Sequence, residues 1–229
     1  MHEFSYRGGR LCAESVPLEE LARRFGTPLY VYSHATLTGH LERLDRAFAA
    51  VPHLICYSVK SCSNLAVLKT LANAGAGFDI VSGGELRRAL ATGVGPEKIV
   101  FAGVGKTEEE IAAALRARIL FLTVESLAEL EAIERVAGRL RLVARIAFRV
   151  TPDVDPHTHR YITTGKAENK FGLDLARARA AYRKAARLRH VRPTAVQMHI
   201  GSQIVETGPY VEALRKVLPL AREDRKSVV

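Results

Sequence analysis

No run of apolar residues in this 229-residue chain is long enough to cross a bilayer. Its first residues, Met1-His2-Glu3-Phe4-Ser5-Tyr6-Arg7, lack the basic start and apolar core of a secretory leader. No membrane partner is therefore expected. Cysteine is scarce: Cys12, Cys56 and Cys62 are an odd number without zinc-like spacing. They read as free thiols of a cytoplasmic protein rather than as a disulfide framework. Basic stripes interleaved with aromatics are lacking too. The formal net charge is +10, but lysines and arginines mix with glutamates along helical faces, as in Glu42-Arg43 and from Glu129 to Arg135. No nucleic-acid motif accompanies them, so nucleic acid is not an expected partner and the charge reads as a solvated surface.

What is present is a rhythm. At 48% hydrophobic residues the chain has material for one large domain or somewhat more. Residues 1 to 28 hold a strand-like start, then a helical pattern over Leu18–Phe25 stopped by Gly26-Thr27-Pro28. Leu29-Tyr30-Val31-Tyr32 is a strand candidate, and 36–50 has helical spacing at Leu37, Leu41, Leu44 and Phe48. From there strand-length apolar runs occur at 54–59, 77–81, 98–101, 119–124, 142–150 and 194–200. Helical patterns begin after them near Leu65, Gly84, Thr107, Ser126 and Asp174, and a last one covers 210–221. Six βα units of this kind argue for a parallel sheet.

An open doubly wound sheet and a closed (β/α)8 barrel both fit that alternation, and the strand ends separate them. An open sheet gathers its polar groups at one switch point, whereas a barrel uses nearly every strand end. Here almost every end carries something polar: Lys60, Asp79 with Ser82 to Glu85, Gly103 to Thr107, Glu125-Ser126, Arg149, and His199 with Ser202. The expected fold is therefore a TIM-type (β/α)8 barrel that stops after about six units. The tail Arg222-Glu223-Asp224-Arg225-Lys226-Ser227-Val228-Val229 breaks the helical pattern before it, so residues 222–229 are expected to be an artefactual or truncated end.

Lys60 is the centre of interest. A lysine closing the apolar run Leu54 to Val59 is costly if charged and unpaired, and a desolvated amine loses its proton and can bond an aldehyde. Gly103-Val104-Gly105-Lys106-Thr107 tempts towards a phosphate loop, but the required first glycine would fall at Val100. It reads instead as a helix start, with Thr107 as cap and Glu110 as its capping-box partner. Pro156-His157-Thr158-His159 could be half of a metal site, yet no third ligand is spaced to complete it, and no metal is expected. These residues belong to a long polar loop, 151–170, at the functional face. His199-Ile200-Gly201-Ser202-Gln203 offers an imidazole plane followed by a backbone N–H and hydroxyl suited to phosphate. With a strand-end lysine this points to a planar cofactor bearing an aldehyde and a phosphate, pyridoxal 5′-phosphate.

Gly26 to Tyr32, Tyr57 to Lys60, Gly77 to Leu86, Phe148 to Val150, Asp155 to His159, Thr163 to Gly165, Asn169 to Gly172 and His199 to Gln203 together resemble the fold-type III pyridoxal-phosphate decarboxylases. The match is strongest with the branch that acts on diaminopimelate and covers nearly all of residues 4–220. The resemblance implies the barrel of the alanine racemase and ornithine decarboxylase type. It implies Lys60 as the lysine that bonds the cofactor aldehyde, His199 stacked on its ring and Ser202 on its phosphate. Asp79 and Arg149 would be further cofactor-binding positions. The implied substrate is a small amino acid, meso-diaminopimelate, losing carbon dioxide to give L-lysine. Residues 1–28 would pack on a C-terminal β domain, and residues 29–221 would be an incomplete barrel. The family's glycine-rich phosphate loop, its Glu-Pro-Gly-Arg segment and that β domain are absent here. The chain alone is therefore expected to be inactive, and its full-length parent a homodimer. Alternatives are an ornithine, arginine or carboxynorspermidine decarboxylase, a non-catalytic pyridoxal-phosphate protein, and a lysine-dependent aldolase.

Overall fold

In the computed structural model, residues 2–154 and 171–227 are described, residues 223–227 in backbone only. The chain opens with a small antiparallel sheet of β1 (Phe4–Arg7), β2 (Arg10–Ala13) and β3 (Val16–Pro17). Gly8 and Gly9, both at positive φ, make the turn that sets Arg7 opposite Arg10. Helix α1 (Leu18–Phe25) follows, with two glutamates in its first turn and two arginines in its last, in accord with the helix dipole. Helix α2 (His34–Ala47) starts on a Ser33 cap that accepts from the Thr36 N–H. Glu14 ties the two parts together: its Oε1 accepts from Ser33 Oγ at 2.8 Å and from the Ala35 N–H at 2.9 Å.

Leu29 to Tyr32, expected as a strand, forms none. No described strand runs beside it, so a ladder has nothing to bond to, and Tyr30 is 86% exposed. The second correction concerns the C-terminal end. Helix α8 (Gly208–Ser227) does not stop near residue 221 but carries its backbone on to Ser227. Glutamate, arginine and lysine are good helix formers, so the end of the apolar spacing does not end the helical backbone.

Six parallel strands form the main sheet: β4 (Cys56–Ser58), β5 (Gly77–Ile80), β6 (Ile99–Phe101), β7 (Phe121–Val124), β8 (Ala144–Val150) and β9 (Val191–Met198). Their spatial order is their chain order. Helices α3 (Leu65–Asn73), α4 (Gly83–Ala91), α5 (Glu108–Ala117), α6 (Leu127–Leu140) and α7 (Leu175–Ala185) alternate with them, and α8 closes the series. A doubly wound sheet would reverse its order at a switch point; sequential order is that of a barrel wall.

The two faces of the sheet confirm the choice. Phe78, Ile80, Ile99, Phe101, Leu122, Val124, Ile146 and Phe148 are buried in one core with Leu68, Leu86, Ile111, Leu130, Ile133, Ala181 and Val217 of the helices. The alternate positions, aligned by the ladder, include Ser58, Asp79, Val100, Phe121, Thr123, Ala147, Arg149, Ala195 and Gln197. Side chains alternate along a strand, so one face is apolar and covered by helices while the other is largely small or polar. That second face is the inside of the barrel wall. Gly77 is obligatory here, because a Cβ would strike the Lys98 carbonyl oxygen where β6 passes. Among the described residues no helix is long and apolar enough to cross a membrane.

Candidate active site

Parallel strands in sequential order bring the polar ends of all six to one edge. After β4 to β7 the chain turns within a few residues into capped helices, Asn64 capping α3, Ser82 α4, Thr107 α5 and Ser126 α6, whereas α7, capped by Asp174, follows β8 only after a long connection. Each cap satisfies first-turn N–H groups that would otherwise face the site unbonded.

Ser58 and Asp79 stand opposite each other in the β4–β5 ladder, and Ser58 Oγ donates to Asp79 Oδ2 at 3.0 Å. Burial pushes the Asp79 carboxyl above its ordinary value, opposed by the Ser58 hydrogen bond and the nearby charge of Lys60, with a smaller opposing effect from Arg149. Lys60 lies not at a strand end but in a 3₁₀ turn over Val59–Ser61. The strand ends at Ser58, Val59 takes the fully buried position, and Lys60 is exposed. The expected desolvated lysine is thus corrected: the turn leaves Lys60 exposed while Val59 is buried. Among the described residues it has no hydrogen bond or ion pair.

Arg149, on β8, is 12% exposed and donates through Nη1 to Glu125 Oε1 at 3.3 Å; the Glu125 side chain is 4% exposed. His199 follows β9, half-buried. Burial pushes its imidazole below the ordinary value, and the cations of Arg149 and Lys60 push it further. Ser202 is exposed beyond Gly201. Lys60, Asp79, Arg149 and His199 thus share one electrostatic neighbourhood; Ser202 lies just outside it on the same connection.

Lys106 closes the phosphate-loop question. Its side chain is 1% exposed, and Nζ donates to the carbonyls of Gly103 and Thr123, both at 2.6 Å, and to Glu129 Oε1 at 3.0 Å. A lysine so occupied is not offered to a phosphate. Thr107 and Glu110 form the expected capping box. His157 and His159 lie outside the described residues. Among those described, no group of three His, Cys, Asp or Glu is placed to hold a metal. Cys62 is a partly buried free thiol packed against Val67, Leu71 and Ala76, with Sγ 3.6 Å from the Tyr32 hydroxyl.

Sequence reasoning noted Glu125 as a polar strand end without giving it a role in the site, and passed over Gln197. Both face inward beside Arg149, and the buried atoms Thr123 Oγ1, Glu125 Oε2 and Gln197 Oε1 have no partner among the described residues. Buried polar atoms are rarely left so, which marks this layer as built to meet a polar ligand or water. Their parity with Arg149 on neighbouring strands was the available signal.

Residues 34–227 match the family model for the pyridoxal-binding domain of pyridoxal-dependent decarboxylases. The diaminopimelate decarboxylase of Haemophilus influenzae is 49% identical over 223 residues, 97% of this chain and 54% of that protein. That of Pseudomonas aeruginosa is 49% identical over 96% of this chain and 53% of its own. Diaminopimelate decarboxylase from M. jannaschii, solved with L-lysine, superposes with a TM-score of 0.91 at 37% identity, covering 100% of this chain and 55% of that one. The Helicobacter pylori enzyme with L-lysine gives 0.87 at 42%, over 90% of this chain and 52% of that one. The chain spans about half the length of the curated relatives it matches.

Proposed function

The chain belongs to the pyridoxal-dependent decarboxylases, and from that premise we propose that it is the lysine-bearing half of a diaminopimelate decarboxylase. Acting in a protein of its relatives' full length, it would help convert meso-diaminopimelate to L-lysine and carbon dioxide. The observation that carries the reading is the exposed amine of Lys60 on the same barrel edge as Asp79, Arg149 and His199. Relatives of that name, 49% identical, support the substrate.

The residues suit pyridoxal 5′-phosphate. The inward face is largely small or polar, and three of its buried oxygens lack a partner among the described residues. When bound, the cofactor supplies an electron sink for the pair left by the departing carboxylate. Lys60 offers the primary amine that holds its aldehyde and can return a proton. His199, kept neutral at pH 7, offers a flat uncharged ring for stacking. Ser202 and the backbone after Gly201 are open to a phosphate. Arg149 and Asp79 supply one cation and one carboxyl whose proton is held more tightly than usual. On this reading the full-length protein is a cytoplasmic homodimer, with residues 1–28 against its C-terminal domain.

Borohydride reduction of the chain with pyridoxal phosphate, followed by peptide mass mapping, tests the site: the adduct is expected on Lys60 and lost in K60A. An adduct elsewhere overturns the assignment. For the substrate, the protein extended to its relatives' length is assayed with meso-diaminopimelate, ornithine, arginine and lysine. Preference for any but the first refutes the proposed specificity.

A further inference from the structure

The Arg149–Glu125 pair has a geometry that a simple buried counter-ion does not require. Only Nη1 of Arg149 is engaged; Nε and Nη2 make no hydrogen bond to a described residue. Among the described residues only Oε1 of Glu125 is engaged, while buried Oε2 has no partner. The pair is joined at one point, and Gln197 Oε1, in register with Arg149, is likewise without a partner among the described residues.

Glu125 itself is anchored from behind. Its backbone N–H donates to Glu129 Oε2 at 2.7 Å, and Glu129 Oε1 is the partner of buried Lys106. Lys106 also grips the Thr123 carbonyl, two residues before Glu125. Arg149 is hemmed from the other side. Its guanidinium lies 5.7 Å from the Phe171 ring centroid, and a Cβ on Gly172, which sits at φ +83°, would come within 2.9 Å of Arg149 Cγ. A long flexible cation is therefore held at one nitrogen by a carboxylate that is itself fixed in the wall.

We propose that Glu125 is a positioning residue: it holds the Arg149 guanidinium by a single contact so that its remaining N–H groups face the cofactor and the imidazole of His199. The cofactor part of this inference rests on the proposed function; the His199 part does not. A residue acting only through Arg149 has no effect once Arg149 is gone, which a double-mutant cycle reads directly.

The experiment uses the 229-residue chain, its E125Q and R149Q variants and the double variant. The first readout is the titration of the His199 ring by NMR without cofactor; the described charges bearing on that ring are Arg149 and Lys60. E125Q is expected to move the His199 midpoint by about half a pH unit or more in the parent and to leave it unmoved in the R149Q background. No movement in the parent, or equal movement in both backgrounds, overturns the proposal. The second readout is the Kd for pyridoxal phosphate. It is expected to weaken about tenfold in E125Q, the effect of losing one charge-assisted contact, and to be unaffected by E125Q once Arg149 is replaced. Failure of the parent chain to bind pyridoxal phosphate sinks the cofactor reading, while the titration still decides the role of Glu125. If E125Q does not fold, E125D, which shortens the reach and keeps the charge, takes its place under the same outcomes.

Discussion

Asp79 is placed where its ionised form costs the fold something. Burial raises its folded pKa above the ordinary value of 3.8, against the opposing pull of Ser58, Lys60 and Arg149. A carboxyl whose pKa is higher in the folded chain binds its proton more tightly there. Its contribution is therefore favourable below the unfolded value and is lost as pH rises through the folded one. Asp79→Asn keeps an oxygen to accept from Ser58 and removes the charge. It is expected to raise Tm by a few degrees at pH 7, with the advantage vanishing below the unfolded value of 3.8. Thermal unfolding of both chains from pH 3 to 8 checks this, and a variant less stable at pH 7 contradicts it. The same substitution should weaken whatever the site binds, the usual trade between stability and function.

Helix α5 illustrates how the elements hold the site's edge together. Thr107 and Glu110 cap it reciprocally, but Glu110 also reaches the neighbouring helix, its Oε1 accepting from the Gly83 N–H at 2.7 Å. Gly83 is buried at the start of α4, so this carboxylate satisfies first-turn donors of two helices. Thr107→Ala should cost about 1 kcal/mol, the usual value of a cap. Glu110→Ala should cost more, about 2 kcal/mol, because a buried N–H is orphaned as well. Urea denaturation of the two variants gives the order; equal losses would mean that the link to Gly83 contributes nothing. The cap itself was legible in sequence from the Thr-x-x-Glu spacing. The link to Gly83 was not, since it joins residues 27 apart.

At the scale of the whole molecule, stability should be graded. The centre of the sheet, β5 to β8, is buried under helices on one face and paired on both sides. β4 and β9 are the outer strands among those described. The N-terminal sheet is tied to α2 by polar contacts such as those of Glu14 and the Glu3 N–H to Thr36 Oγ1. Amide hydrogen exchange should be slowest at Phe78, Ile80, Phe101, Leu122, Ile146 and Phe148, and fastest in residues 4–13. Uniform protection across both sheets would refute that picture. The sequence alone determined the βα rhythm, the helix caps and the candidate residues Lys60, Asp79, Arg149 and His199, because hydrophobic period and capping chemistry are local properties. It misread Leu29 to Tyr32 as a strand, because a strand exists only beside a partner. It also misread Lys60 as desolvated, because the turn that exposes it depends on Val59 filling the core. Only the tertiary structure could bring Glu125, Arg149 and Gln197 into one inward layer, since register between strands some 25 and 50 residues apart is decided by which faces pack against the helices.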